Sequence, residues 1–209
     1  MSMSRRKFYV LITVLFILSC GNYKSSDRVV KSDSSNQKDQ YNMYLLVGTY
    51  TEKGSSGIYV YEMDSVSGKT RFANLIEISN PSYLVVSKDS RYVYSVSEEN
   101  DVNTSVISAF AFNTLNGKLT LINQEKTGGK YPCFLAIDDS TKYAVVANYG
   151  GSLTALKLAK DGGIDSPRKM FDFQGKGQHP TRQQQAHIHC AVYSPDNKYL
   201  FADDLGTDK

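Results

Sequence analysis

From Tyr44 onward, apolar and polar positions alternate in short runs separated by turn signals, the period of half-buried β-strands. The pattern also repeats. PSYLVVSKDSRYVYSVSEEN from Pro81 aligns with PCFLAIDDSTKYAVVANYGG from Pro132, and both align with IHCAVYSPDNKYLFADDLGT from Ile188. Each copy reads as an apolar strand, a polar turn on Asp or Ser, a basic residue followed by Tyr, and a second apolar strand. The anchoring tyrosines are Tyr92, Tyr143 and Tyr199, and a partial copy, YLLVGTYTEKG, starts at Tyr44. GIYVYEMD, SVISAFAF and SLTALKLA supply a third strand, and Ser67-Gly68-Lys69, Asn116-Gly117-Lys118 and Asp161-Gly162-Gly163 read as hairpin turns. RFANLIEI, LTLINQE and RKMFDF supply a fourth. A four-stranded antiparallel meander recurring every fifty or so residues predicts an all-β fold, a β-propeller. A β-sandwich is the rival, and the aligned tyrosines argue against it.

The first residues follow another pattern. Arg5, Arg6 and Lys7 precede an apolar run, Phe8 to Leu18, too short to span a bilayer as a helix, which leads into Ser19-Cys20-Gly21. Residues 1–20 resemble a bacterial lipoprotein signal, with Cys20 as the lipidated residue. Residues 21–43 are rich in Ser, Lys, Asp and Gln and predict a flexible tether, leaving 44–209 as the folded, partial propeller. The protein is therefore expected to be exported and held on a membrane, periplasmic or cell-surface, through its lipid alone. Fifteen tyrosines and no tryptophan agree with strands. A net charge of +3 with scattered basic residues argues against a nucleic-acid partner. Cys133 and Cys190 lie in apolar strands and are expected to be small buried hydrophobes rather than a disulfide.

Several features together resemble the seven-bladed β-propeller lactonases, which include propeller-type 6-phosphogluconolactonases. They are the Ser194-Pro195-Asp196 turn with Lys198-Tyr199-Leu200, Arg182-Gln183 followed by His187 and His189, and the closing Asp204-Leu205-Gly206-Thr207-Asp208. VGTYT at Val47 and NYGGSL at Asn148 fit as well. The resemblance spans Tyr44 to Lys209. It implies opening of a sugar lactone, a small-molecule substrate and no cofactor. It also makes His189 the counterpart of the family's histidine. At about fifty residues per unit only some three and a half of seven blades are present. The chain is accordingly expected to be an N-terminal portion, with an unpaired edge on the first strand and two strands in the fourth blade.

In an up-and-down blade the innermost strand starts, and the second strand ends, at the same rim. Five residues past each anchoring tyrosine stand Thr49, Ser97, Asn148 and Asp204; one further stand Tyr50, Glu98, Tyr149 and Leu205. Arg182, His187 and His189 approach that rim from the inner-strand side, so a ligand is expected there. Lactone hydrolysis needs a base for water and a donor or cation for the oxyanion. His189 is the candidate base, Arg182 the cation, and Glu98 or Asp204 the acid that orients the histidine. His187, Asn148 and Tyr50 are candidate substrate-binding residues. His187 and His189, two apart, should share one face of their strand, with Ile188, Cys190 and Val192 on the other. Metal is set aside, because His179, His187, His189 and the Asp203-Asp204 pair do not reproduce zinc spacing. No G-x-S-x-G elbow supports a serine hydrolase. A non-catalytic surface-binding propeller is the alternative, since propellers host many functions.

Overall fold

The computed structural model describes residues 41–209; the signal, Cys20 and most of the expected tether lie outside them. Four antiparallel sheets follow one another along the chain. The first is β1 (Tyr41–Val47), β2 (Gly57–Asp64) and β3 (Thr70–Glu77); the second is β4 (Leu84–Val86), β5 (Tyr92–Ser97), β6 (Val106–Asn113) and β7 (Lys118–Lys126). β8 (Pro132–Ile137), β9 (Tyr143–Asn148), β10 (Ser152–Leu158) and β11 (Ile164–Asp172) make the third, and β12 (Ile188–Tyr193) with β13 (Leu200–Asp204) the fourth. Strand order within each sheet is sequential, the meander that the repeats predict. β1 is an edge strand, and it begins three residues earlier than the sequence pattern suggests.

Alternation along the second strands explains how the sheets stack. Val93 of β5 packs toward the first sheet, with Tyr44, Ile58, Val60, Phe110 and Phe112, whereas Tyr94 and Val96 join Leu135, Ala144, Val146 and Leu156 of the third. β9 divides the same way: Ala144 and Val146 face the second sheet, Val145 and Ala147 face Ile188 and Ala191 of the fourth. Each seam between sheets thus has its own apolar core, and the second strands of the two four-stranded sheets, β5 and β9, are buried on both faces. Each buried Val, Leu, Ile or Phe among them contributes about 1.5–3 kcal/mol. This is why these strands read as continuous apolar runs.

A second device recurs at every complete seam. The hairpin glycine of one sheet covers the anchoring tyrosine of the sheet before it. A Cβ on Gly117 (φ 72°) would stand 2.8 Å from the Tyr44 ring, and one on Gly162 (φ 88°) only 2.2 Å from the Tyr92 ring. Both the left-handed backbone and the contact demand glycine. Tyr143 and Tyr199 have no such cover and are 52% and 66% exposed.

The turns joining inner to second strands lie at the opposite end of the sheets from the predicted ligand rim, and all three are built alike. Tyr92 N–H donates to Ser87 Oγ at 3.0 Å and Tyr199 N–H to Ser194 Oγ at 3.0 Å, while Asp89 and Asp196 each accept from that serine. In the third sheet the two residue types are exchanged. Asp138 accepts from Lys142 and Tyr143 N–H, each at 2.7 Å, and from the Ser140 hydroxyl. Ser90, Thr141 and Asn197 occupy the left-handed position of these turns.

Candidate functional site

The rim where a ligand is expected is where inner strands begin and second strands end, and the backbone there repeats three times. Glu98 N–H donates to Asn80 O at 3.0 Å, Tyr149 N–H to Tyr131 O at 2.8 Å, and Leu205 N–H to His187 O at 2.9 Å. Just inside this closure each inner strand carries one residue more than its partner. Pro132 faces Asn148 and Phe134 faces Ala147, so Cys133 is extra; Ile188 faces Asp204 and Cys190 faces Asp203, so His189 is extra. In the second sheet Tyr83 O accepts from Val96 and Asn80 O from Glu98, which leaves Ser82 in the same situation. A β-bulge re-aims a side chain and breaks the alternation of faces. The sharing of one face expected for Ile188, Cys190 and Val192 is accordingly not what forms. Ile188 and Ala191 are buried, Cys190 is half-buried and Val192 is exposed.

Around the three bulges, side-chain contacts join the first sheet to the second and the third to the fourth. Tyr50, from the turn after β1, donates its phenol to Glu98 Oε2 at 2.7 Å, and Ser82 donates to the same oxygen at 2.5 Å. Burial first, and the Glu98 bond and charge second, push the Tyr50 phenol up to about 12. Burial, then the Glu98 charge, push the Cys133 thiol up to about 12 as well. The Cys133 thiol reaches the Ile188 and His189 carbonyls at 3.7 and 3.8 Å. His189 meets the Tyr149 ring edge-on at 5.8 Å, and His187 stacks on that ring at 4.2 Å. Tyr50, Glu98 and Ser82 form one group, Cys133, Tyr149, His187 and His189 another, and the Glu98 charge is felt at Cys133.

The two histidines have different work. His187 Nδ1 lies 2.7 Å from Tyr149 O. A carbonyl only accepts, so Nδ1 carries the proton of the neutral ring and Nε2 keeps its lone pair. His187 occupies the repeat position of Asn80 and Tyr131, and those residues also clasp the preceding sheet. Asn80 Oδ1 accepts from Thr51 N–H at 2.8 Å, and Tyr131 N–H donates to Glu99 O at 2.7 Å. His187 is therefore an inter-sheet clasp. His189, exposed and aimed by its bulge, is open to a ligand.

Two expected members, Asp204 and Asn148, are engaged elsewhere, and a third, Arg182, keeps a free side chain. Asp204, expected to orient His189, accepts His187 N–H at 2.7 Å and Gly206 N–H at 2.9 Å on Oδ1, and the Thr207 hydroxyl at 2.6 Å on Oδ2. Burial opposes its ionisation, but these bonds prevail and hold its carboxyl below the usual range. It fixes the end of β13 and the strap before β12. Asn148, expected to bind substrate, is fully buried and donates to Ser152 Oγ at 3.1 Å and Thr154 Oγ1 at 3.0 Å. Its side chain points into the sheet, because it is the last paired residue of β9. The exposed guanidinium of Arg182 has no hydrogen bond or ion pair among the described residues; the residue's backbone N–H donates to His179 Nδ1 at 3.1 Å. Its neighbour Gln183 pins that strap to the end of the chain, donating to Leu205 O at 3.0 Å and Asp208 Oδ1 at 2.6 Å.

Ser82 and Cys133 are rim residues that sequence reasoning passes over. The signal was present: each stands ten residues before its anchoring tyrosine, as His189 does.

A model of the family described as "Lactonase, 7-bladed beta-propeller" matches residues 44–209. The chain belongs to the seven-bladed β-propeller lactonase family. The chain is 33% identical over 165 residues to a 6-phosphogluconolactonase of Bacillus subtilis, covering 78% of this chain and 46% of the relative. It is 35% identical over 167 residues to one of Formosa agariphila, covering 78% and 47%. Among solved structures, a Bacteroides fragilis protein with a provisional 6-phosphogluconolactonase name superposes with a TM-score of 0.76 at 41% identity, over 84% of this chain and 48% of that one. The periplasmic gluconolactonase of Pseudomonas aeruginosa does so with 0.73 at 35% identity, over 78% and 47%. The chain thus spans about half the length of the relatives that it matches.

Proposed function

We propose that this protein hydrolyses a sugar lactone at the rim where Ser82, Cys133 and His189 emerge from their bulges. The observation that carries the reading is His189 itself. It is exposed at a bulge beside Tyr149, in a chain whose named relatives are lactonases.

In this reading neutral His189 takes a proton from a water as the water oxygen adds to the lactone carbonyl carbon. The carbonyl oxygen becomes an oxyanion, for which the unpaired guanidinium of Arg182, on the strap before β12, is the cationic candidate. Collapse of the tetrahedral species breaks the ring C–O bond, and the imidazolium returns its proton to the leaving alkoxide. The product is the open hydroxy acid. The scheme uses no metal.

Export through the lipoprotein-like leader would bring the site to lactones outside the cytoplasm. The relative named as a periplasmic gluconolactonase supports that setting. The test is to follow acid release from glucono-δ-lactone and its 6-phosphate with the full-length gene product. Hydrolysis of either above the spontaneous rate is expected. Binding of a lactone without hydrolysis would favour the non-catalytic propeller instead. The anchor is tested separately: Cys20→Ser should release the protein from membranes and remove the lipid mass.

A further inference from the structure

Glu98 is held at the rim by hydroxyl groups alone. It is half-buried, yet among the described residues it has no cationic partner. Its recorded donors are two neutral hydroxyls, from Tyr50 and Ser82, and both converge on Oε2. Oε1 has no hydrogen-bond partner among the described residues. The adjacent Glu99 is used up structurally, its Oε1 accepting from Ser79 at 2.6 Å and Asn80 at 2.9 Å. The fold itself does not ask for a carboxylate at this position. The repeat-equivalent residues are Tyr149 in the third sheet and Leu205 in the fourth, with the same backbone closure.

We infer that Glu98, fixed by Tyr50 and Ser82 and presenting Oε1 to the rim, binds ring hydroxyls of the ligand and so selects a polyhydroxylated lactone over an unsubstituted one. The inference rests on the lactonase reading for its ligand class, and it gives Glu98 a task other than orienting the histidine. An ionised carboxylate only accepts hydrogen bonds, and its bonds to O–H donors are short and strong. A hydroxyl-bearing ring can supply such a donor where a bare ring cannot. Tyr50 and Ser82 hold Oε2 in place, so Oε1 keeps its direction without a ligand. A site built around such a group disfavours an analogue that leaves the group unpaired. The raised Tyr50 phenol remains a donor through the neutral range, which keeps the arrangement intact.

The experiment compares kcat/KM for glucono-δ-lactone and for δ-valerolactone, the same ring without hydroxyls, in the full-length protein. It uses Glu98→Gln and Glu98→Leu, the second copying the residue that the fourth sheet tolerates, with thermal melts to confirm folding. The ratio of the two kcat/KM values should fall by about fiftyfold in Glu98→Leu and less in Glu98→Gln, with Tyr50→Phe lowering it about three- to tenfold. An unchanged ratio in folded Glu98→Leu overturns the inference, whether both rates hold or both fall together. Calorimetry with the non-hydrolysable glucono-δ-lactam separates this result from the fate of the enzymatic reading. If the wild type hydrolyses neither lactone but binds the lactam, and Glu98→Leu loses that binding, the hydroxyl subsite stands and the lactonase reading falls. If Glu98→Leu binds the lactam as the wild type does, the subsite falls whatever the rates are.

Discussion

The two ends of the blades use the same backbone repeat to opposite purposes. At the turn end the side chains repeat with the backbone: a Ser or Asp caps each turn, and hairpin glycines cover anchoring tyrosines. At the ligand rim the backbone closures recur just as faithfully, but the side chains diverge into Ser82, Cys133 and His189, and into Glu98, Tyr149 and Leu205. Sameness at a repeated position reflects what the fold requires. Divergence where the backbone is held constant marks positions whose side chains the fold leaves free.

The strongest way to break this comparison is at the rim. His189→Ala in the full-length protein should slow lactone turnover by about a hundredfold or more while leaving the melting temperature near that of the wild type. A near-normal rate would move the base elsewhere. At the turn end the response should be structural only. Gly162→Ala forces a Cβ against the Tyr92 ring in left-handed backbone and should cost about 1–3 kcal/mol in denaturant unfolding, with KM unchanged in whatever folds.

A finer test exploits the exchange of Ser and Asp in the third turn. Asp138→Ser alone should cost about 1–2 kcal/mol, and adding Ser140→Asp should restore most of it by recreating the arrangement of the other two turns. Failure of the second change to rescue the first would show that the turns are not interchangeable. The smallest effect expected is on titration. The Tyr50 phenol, raised to about 12, favours the folded state fully below the free tyrosine value of about 10, and this contribution is lost as pH rises through its folded value. Ultraviolet titration should find one tyrosine near that value, moved part-way back in Glu98→Gln, since burial remains the larger cause.

The meander, its turns and the rim were legible in the sequence because tyrosines and turn residues recur at fixed offsets and strand period is local. The direction of individual side chains at the rim was not. Counting from Tyr143 and Tyr199 puts Asn148 and Asp204 at the correct end of their strands. It says nothing of whether an amide turns into the sheet or a carboxylate is taken up by backbone N–H groups. The bulges escaped for a related reason. An extra residue is a property of two strands in register, and neither strand alone records it. The bond from Tyr50 to Glu98 and the stack of His187 on Tyr149 join residues that only the assembled sheets bring together.

Because the bulged residue stands outside the ladder, replacing it does not shift the register of the strand that carries it. Ser, Cys and His already occupy that position in three sheets of one molecule. It therefore behaves as an exchangeable socket, where a lineage, or a protein engineer, could trade one reactive group for another by point substitution. The scaffold around it would need no renegotiation.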